Sequence, residues 1–121
     1  MMFEYNAIVT RVIDGDTLEV NIDLGFKTIL QKEKLRLLDI DTPELRSKNL
    51  LEREHAQEAK TYVENLLPRG TAIRIRTEKD KKGKYGRYLA WVYYDIGKAG
   101  MWPLLNKDLK TFGYAKKDEY K

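Results

Sequence analysis

The spacing of apolar side chains switches twice along this chain, from a period of two to about 3.6 and back, and that order restricts the fold more than any other feature. Phe3, Tyr5, Ala7 and Val9 alternate with polar Glu4, Asn6 and Thr10, which predicts a half-buried strand over 3–13. Leu18, Val20, Ile22 and Leu24 alternate with Glu19, Asn21 and Asp23 in a second strand. Asp14-Gly15-Asp16 lies between them, and Asp-Gly accepts the positive φ of a tight hairpin. Gly25-Phe26 turns the chain into a third strand over 27–40, whose middle, Lys32-Glu33-Lys34, is charged.

Ala56, Ala59, Val63, Leu66 and Leu67 then recur at helical spacing opposite Glu54, Glu58, Lys60 and Glu64. This predicts a helix over 50–67, stopped by Pro68-Arg69-Gly70. Alternation returns at 71–77, and the polar, glycine-punctuated stretch 78–87 reads as a loop. Leu89–Tyr94 is a fifth strand, and a short helix starts near Pro103 and stops at Gly113. Three strands, a helix, two strands and a helix fit a single domain over 1–121. The expected class is mainly β with helices (α+β), as a five-stranded closed Greek-key barrel of the oligonucleotide/oligosaccharide-binding (OB) type.

Residues 35–44, Leu-Arg-Leu-Leu-Asp-Ile-Asp-Thr-Pro-Glu, concentrate the candidate chemistry. The apolar run reads as buried strand and Thr42-Pro43 stops it. Arg36 is then expected at one end of a short element, with Asp41 and Glu44 at the other. A cation facing two carboxylates suits a site that grips phosphate and holds a metal. The alternative is an ordinary strand-to-helix turn with acidic helix-start residues and a surface arginine. In a meander the start of strand two lies beside the end of strand three, so Asp16 should approach Asp41. Such oxygen ligands suit calcium or magnesium. An EF-hand is excluded, because a loop opening at Asp14 would have Glu19 where glycine is required and Gly25 where glutamate is required.

Charge and composition narrow the partner class. The net charge is +4 and the pI about 9.2, which leans towards an anionic partner, nucleic acid being the usual one. With no cysteine, thiolate metal sites and cysteine nucleophiles are excluded, and the single histidine, His55, falls within the helical pattern. No stretch approaches the roughly 20 apolar residues of a membrane helix, so no membrane association is expected. No leader pattern is visible at the N-terminus, which favours the cytoplasm and leaves a removed secretion signal open. Trp91, Tyr93 and Tyr94 raise a further reading, an aromatic cage for modified side chains.

Four ordered segments, Val12-Ile13-Asp14-Gly15-Asp16-Thr17, Arg36–Glu44, Tyr85-Gly86-Arg87-Tyr88-Leu89-Ala90 and Gly113-Tyr114-Ala115, resemble the staphylococcal (micrococcal) nuclease, or thermonuclease, family. The resemblance runs over nearly the whole chain. It implies an OB-type barrel and calcium-dependent cleavage of DNA and RNA to products with 3′-phosphates. By position it implies that Asp16, Asp41 and the carbonyl of Thr42 bind Ca2+, with Asp14 supporting the site. Arg36 and Arg87 would hold the scissile phosphate, and Glu44 would activate or orient water. Lys84 and Tyr85 match positions that contact nucleotide phosphate. A monomer acting on a nucleic-acid substrate is expected. The alternative is a non-catalytic nucleic-acid-binding barrel.

Overall fold

The computed structural model describes the backbone of residues 2–82 and 86–120 and the side chains of 3–78 and 86–120. Its elements are β1 (Met2–Asp14), β2 (Thr17–Asp23), β3 (Ile29–Leu37), α1 (Leu50–Leu66), β4 (Ala72–Lys82), β5 (Tyr88–Tyr94) and α2 (Leu105–Thr111). The strands close into a barrel in the order β1-β2-β3-β5-β4, as the alternation and element order predict. β1 serves two neighbours. Met2–Ile8 pair with β4 and Asn6–Asp14 with β2. Register shifts after Val9 and after Val12 bend the strand so that it can turn this corner.

The meander β1-β2-β3 is antiparallel as expected, but the barrel closes through a short parallel seam: Leu35, Arg36 and Leu37 pair with Tyr88, Leu89 and Ala90. The α1–β4 excursion returns the chain so that β5 runs in the direction of β3. This seam brings Arg87, one residue before β5, to the barrel end that carries Arg36.

Inward-facing Leu18, Val20, Leu35, Leu37, Ile73, Ile75, Ala90 and Val92 fill the barrel. Val63 and Leu67 from the α1 end, and Leu105 and Leu109 from α2, complete the core. Each fully buried Leu, Ile or Val contributes about 1.5–3 kcal/mol of hydrophobic transfer free energy. α2 is also stitched to the β3–β5 seam by the buried Asn106. Its Nδ2 donates to Leu38 O (2.8 Å) and Ala90 O (3.1 Å), and its Oδ1 accepts from Val92 N (2.9 Å).

Two boundaries differ from expectation. β3 ends at Leu37 rather than 40, because Asp39 adopts φ 62° and turns the chain. β4 runs on to Lys82 through residues that read as loop. Its ladder partners are Glu78 with Met2 of β1, and Lys82 with Tyr88 of β5. Backbone pairing is indifferent to side-chain polarity, so a strand of polar sequence leaves little trace in hydropathy.

Candidate active site

The Asp14-Gly15-Asp16 turn shapes one wall of the site, and glycine is required there for a reason other than φ. Gly15 does not use the left-handed region. A Cβ on Gly15 would stand 2.9 Å from Ala59 Cβ of α1 and 2.9 Å from both Cγ2 and Oγ1 of Thr42. The hairpin, the helix and the 41–44 segment thus meet where only a hydrogen fits. Ala59 is fully buried in that contact.

Asp16 is the hub. Its Oδ2 accepts from Thr42 N (3.0 Å) and lies 3.3 Å from Arg36 Nη2, while its Oδ1 accepts from Thr17 Oγ1 (3.1 Å). Asp14 Oδ1 accepts from Asp16 N (3.1 Å). Burial pushes the Asp16 carboxyl up, but the hydrogen bond with Asp14, the Thr42 amide and the Arg36 charge together outweigh it and hold it below the usual range. Asp14 goes the other way. Burial first, then the hydrogen bond and negative charge of Asp16, push it up to about 7.

Arg36 and Asp41 do not stand at opposite ends of an element. The turn at Leu38-Asp39 folds the chain back, and Arg36 Nη2 binds Asp41 Oδ1. The same nitrogen faces Asp16, so Asp16 and Asp41 converge as expected, through a shared guanidinium. Arg36 Nη1 donates to Leu37 O (2.6 Å) and Ile40 O (2.7 Å), satisfying the turn's carbonyls. Asp41 is also held by its own carbonyl, which accepts from Lys116 N (2.7 Å).

Glu44 projects with its side chain 72% exposed, 3.8 Å from Lys116 Nζ. Its backbone is fixed by Glu52, a residue the sequence reading missed. The buried Glu52 carboxylate accepts from Glu44 N (3.0 Å) and Ser47 Oγ (2.9 Å) and lies 3.4 Å from Lys116 Nζ. The Glu44 amide first, against opposing burial, then Ser47 and Lys116, hold Glu52 below the ordinary carboxylate range. A signal for it exists: Asn49 caps α1 by accepting from Glu52 N (3.1 Å), the Asn-x-x-Glu spacing of a helix start. Lys116, also missed, follows Gly113-Tyr114-Ala115 with no spacing signal of its own. Its segment is fastened to α1, where His55 Nε2 meets Gly113 O (2.8 Å) and His55 Nδ1 meets Tyr120 Oη (3.0 Å).

Asp14, Asp16, Arg36, Asp41, Thr42, Glu44 and Arg87 line one groove of about 750 Å³, together with Lys34, Arg46 and Lys116. Lys84 and Tyr85 lie outside the described residues. Among the described residues, no three acidic or histidine side chains converge on one point as a self-sufficient metal cluster. Trp91, Tyr93 and Tyr94 do not form a cage. Tyr94 is buried with its hydroxyl bound to Asp108, whereas Trp91 and Tyr93 are half-buried in the opposite phase of β5.

The closing seam of this five-stranded barrel sets arginines against carboxylates, and comparison with known proteins identifies the family. Residues 34–121 match the staphylococcal nuclease homologue family. The chain is 34% identical to the endonuclease YncB of Bacillus subtilis over 90% of its length, and 33% identical to the thermonuclease of Staphylococcus hyicus over 93%. An uncharacterized protein of Methanocaldococcus jannaschii is 34% identical over 93%. These alignments cover 48%, 59% and 58% of the relatives' own lengths, so the chain spans about half to three fifths of each. The chain belongs to the staphylococcal nuclease family.

Proposed function

We propose that this chain is a calcium-dependent phosphodiesterase that hydrolyses DNA or RNA to products with 3′-phosphates, working as a monomer in the groove described above. The observation that supports this most is the meeting of Arg36 and Arg87 with Asp16, Asp41 and Glu44 in that one groove. No helix among the described residues is long and apolar enough to cross a membrane.

The residues fit a hard divalent cation. The donors on offer are all oxygen: the carboxylates of Asp16 and Asp41 and the carbonyl of Thr42, with Asp14 behind them. Buried Thr42 Oγ1 has no hydrogen-bond partner among the described residues. Calcium takes about 6–8 oxygens in flexible geometry, so this small protein set leaves positions to water and substrate phosphate. When bound, calcium supplies positive charge against the negative charge that grows on a five-coordinate phosphorus.

Arg36 and Arg87 donate hydrogen bonds to the non-bridging phosphate oxygens and hold the phosphorus in line for attack. Fixing Arg36 Nη1 on two carbonyls sets the plane of its guanidinium. Glu44 accepts a proton from, or orients, the attacking water, and Glu52 and Lys116 position it. Attack by water with cleavage of the P–O5′ bond leaves a 3′-phosphate and a 5′-hydroxyl. Lys84 and Tyr85 are assigned to phosphate contact on the resemblance alone.

One observation favours a second reading. Leu37 O, Ile40 O, Asp16 and Asp41 occupy both Nη groups of Arg36, as they would in a non-catalytic binding barrel where the arginine serves the fold. Digestion of DNA and RNA in calcium, in magnesium and in excess chelator decides between them. Calcium-restricted cleavage to 3′-phosphate ends is expected, and binding without cleavage in calcium supports the second reading.

A further inference from the structure

A second groove, of about 590 Å³, lies on the outer face of β1, β4 and β5, and neither the catalytic roles nor the family motifs account for it. Its floor is a strand ladder. Arg74 pairs with Asn6 and Tyr93, and Arg76 with Glu4 and Trp91. Its wall is Trp102, carried on the β5–α2 connection and anchored where Tyr94 N donates to Pro103 O (3.1 Å). The Arg74 guanidinium lies over the Trp102 ring, 4.4 Å from its centroid.

The charges are unequal. Arg76 Nε lies 3.1 Å from Glu4 Oε1. Arg74 is exposed and, among the described residues, has no carboxylate partner. One net positive charge therefore remains, on a planar donor already stacked on an indole. Stacked arginine, a half-buried tryptophan and a half-buried tyrosine offer flat π-faces for bases beside donors for phosphate.

We infer that this groove is an accessory site for single-stranded nucleic acid, with Arg74 contacting phosphate and Trp102 and Tyr93 stacking on bases. The inference rests on the nuclease reading for its biological setting, but strand binding here is measurable without catalysis. Position supports it. Tyr93 lies six residues along β5 from Arg87, roughly 20 Å of strand at about 3.3 Å per residue, within the span of the ~4–16 nucleotides that one OB fold covers. Nucleotides flanking the reacting phosphate can therefore be held in this groove. The site should matter for long strands and not for a mononucleotide phosphodiester.

The test uses fluorescein-labelled oligothymidylate of about 12 nucleotides in excess chelator, so that nothing is cut. Arg74→Gln is expected to weaken binding by about 5–10-fold and to flatten the slope of log K against log salt by about 0.7. Trp91→Phe leaves Trp102 as the sole tryptophan, and the oligonucleotide should quench it. Arg11→Gln, outside both grooves, should bind as wild type. Unchanged affinity in Arg74→Gln, shown folded by its melting curve, overturns the inference, and so does the absence of quenching. So does equally tight, Arg74-dependent binding of polyglutamate without quenching, which would assign the groove to an acidic peptide. Cleavage in calcium separates the two readings. If wild type cleaves and Arg74→Gln binds normally, the inference falls and the nuclease reading stands. If wild type never cleaves, yet Arg74→Gln weakens binding and Trp102 is quenched, the nuclease reading falls and the inference stands.

Discussion

Glu44 is held by Glu52 through the main chain: the Glu44 amide donates to Glu52 Oε2 at 3.0 Å. A buried carboxylate thus orients the segment that carries an exposed one. Because the folded Glu52 carboxyl lies below its ordinary value of 4.5, its stabilisation is present above that value and is lost as pH falls through the lower folded value. Wild type should therefore melt well above Glu52→Gln at about pH 7, and the difference should shrink towards about pH 3. Melting curves across that range check it, and a pH-independent difference would remove the role of the charge. Turnover in Glu52→Gln should fall more than KM changes, because Glu52 positions Glu44 without touching substrate.

Gly15→Ala inserts a methyl group 2.9 Å from Ala59 Cβ and Thr42. Overpacking of this kind costs about 1–3 kcal/mol. Ala59→Gly removes the opposing methyl group at about 1 kcal/mol of helix propensity. The double variant should lose less than the sum of the single losses in urea unfolding. Strict additivity would show that the two residues do not meet.

Arg36→Lys and Arg87→Lys keep charge and lose the planar fork. Each should lower kcat on the order of 10²-fold in calcium. Near-normal turnover of folded Arg36→Lys would leave Arg36 only its four structural contacts. The same result for Arg87→Lys would remove that residue from phosphate binding.

Calcium that binds only the folded chain should raise its stability by about 2.7 kcal/mol at a hundredfold excess over Kd. Asp16→Asn should gain far less, whatever its stability in chelator. Paired melts in chelator and in calcium measure the increment. An undiminished increment in Asp16→Asn would strike Asp16 from the ligand set.

Much of this protein was legible in order of residues alone. Period two at 3–13, 18–24 and 89–94, and period 3.6 at 50–67, determined strands and a helix because each face must alternate with its own geometry. The motif residues Asp14, Asp16, Arg36, Asp41, Thr42, Glu44 and Arg87 were also legible, and they share one groove.

Tertiary structure alone decided the rest, because the partners are distant in the chain and their contacts depend on approach, not on pattern. The parallel β3–β5 seam joins residues more than 50 positions apart and leaves no periodic signal. Gly15 looks like turn chemistry, and only the docking of Ala59 and Thr42 shows it to be a packing requirement. Arg36 reads as a free cation opposite two acids until the φ 62° turn at Asp39 folds them together. Glu52 and Lys116 look like surface charges on a helix and a tail. Burial and a 3.4 Å approach make them the supports of Glu44, since a charge's role is set by what packing places beside it.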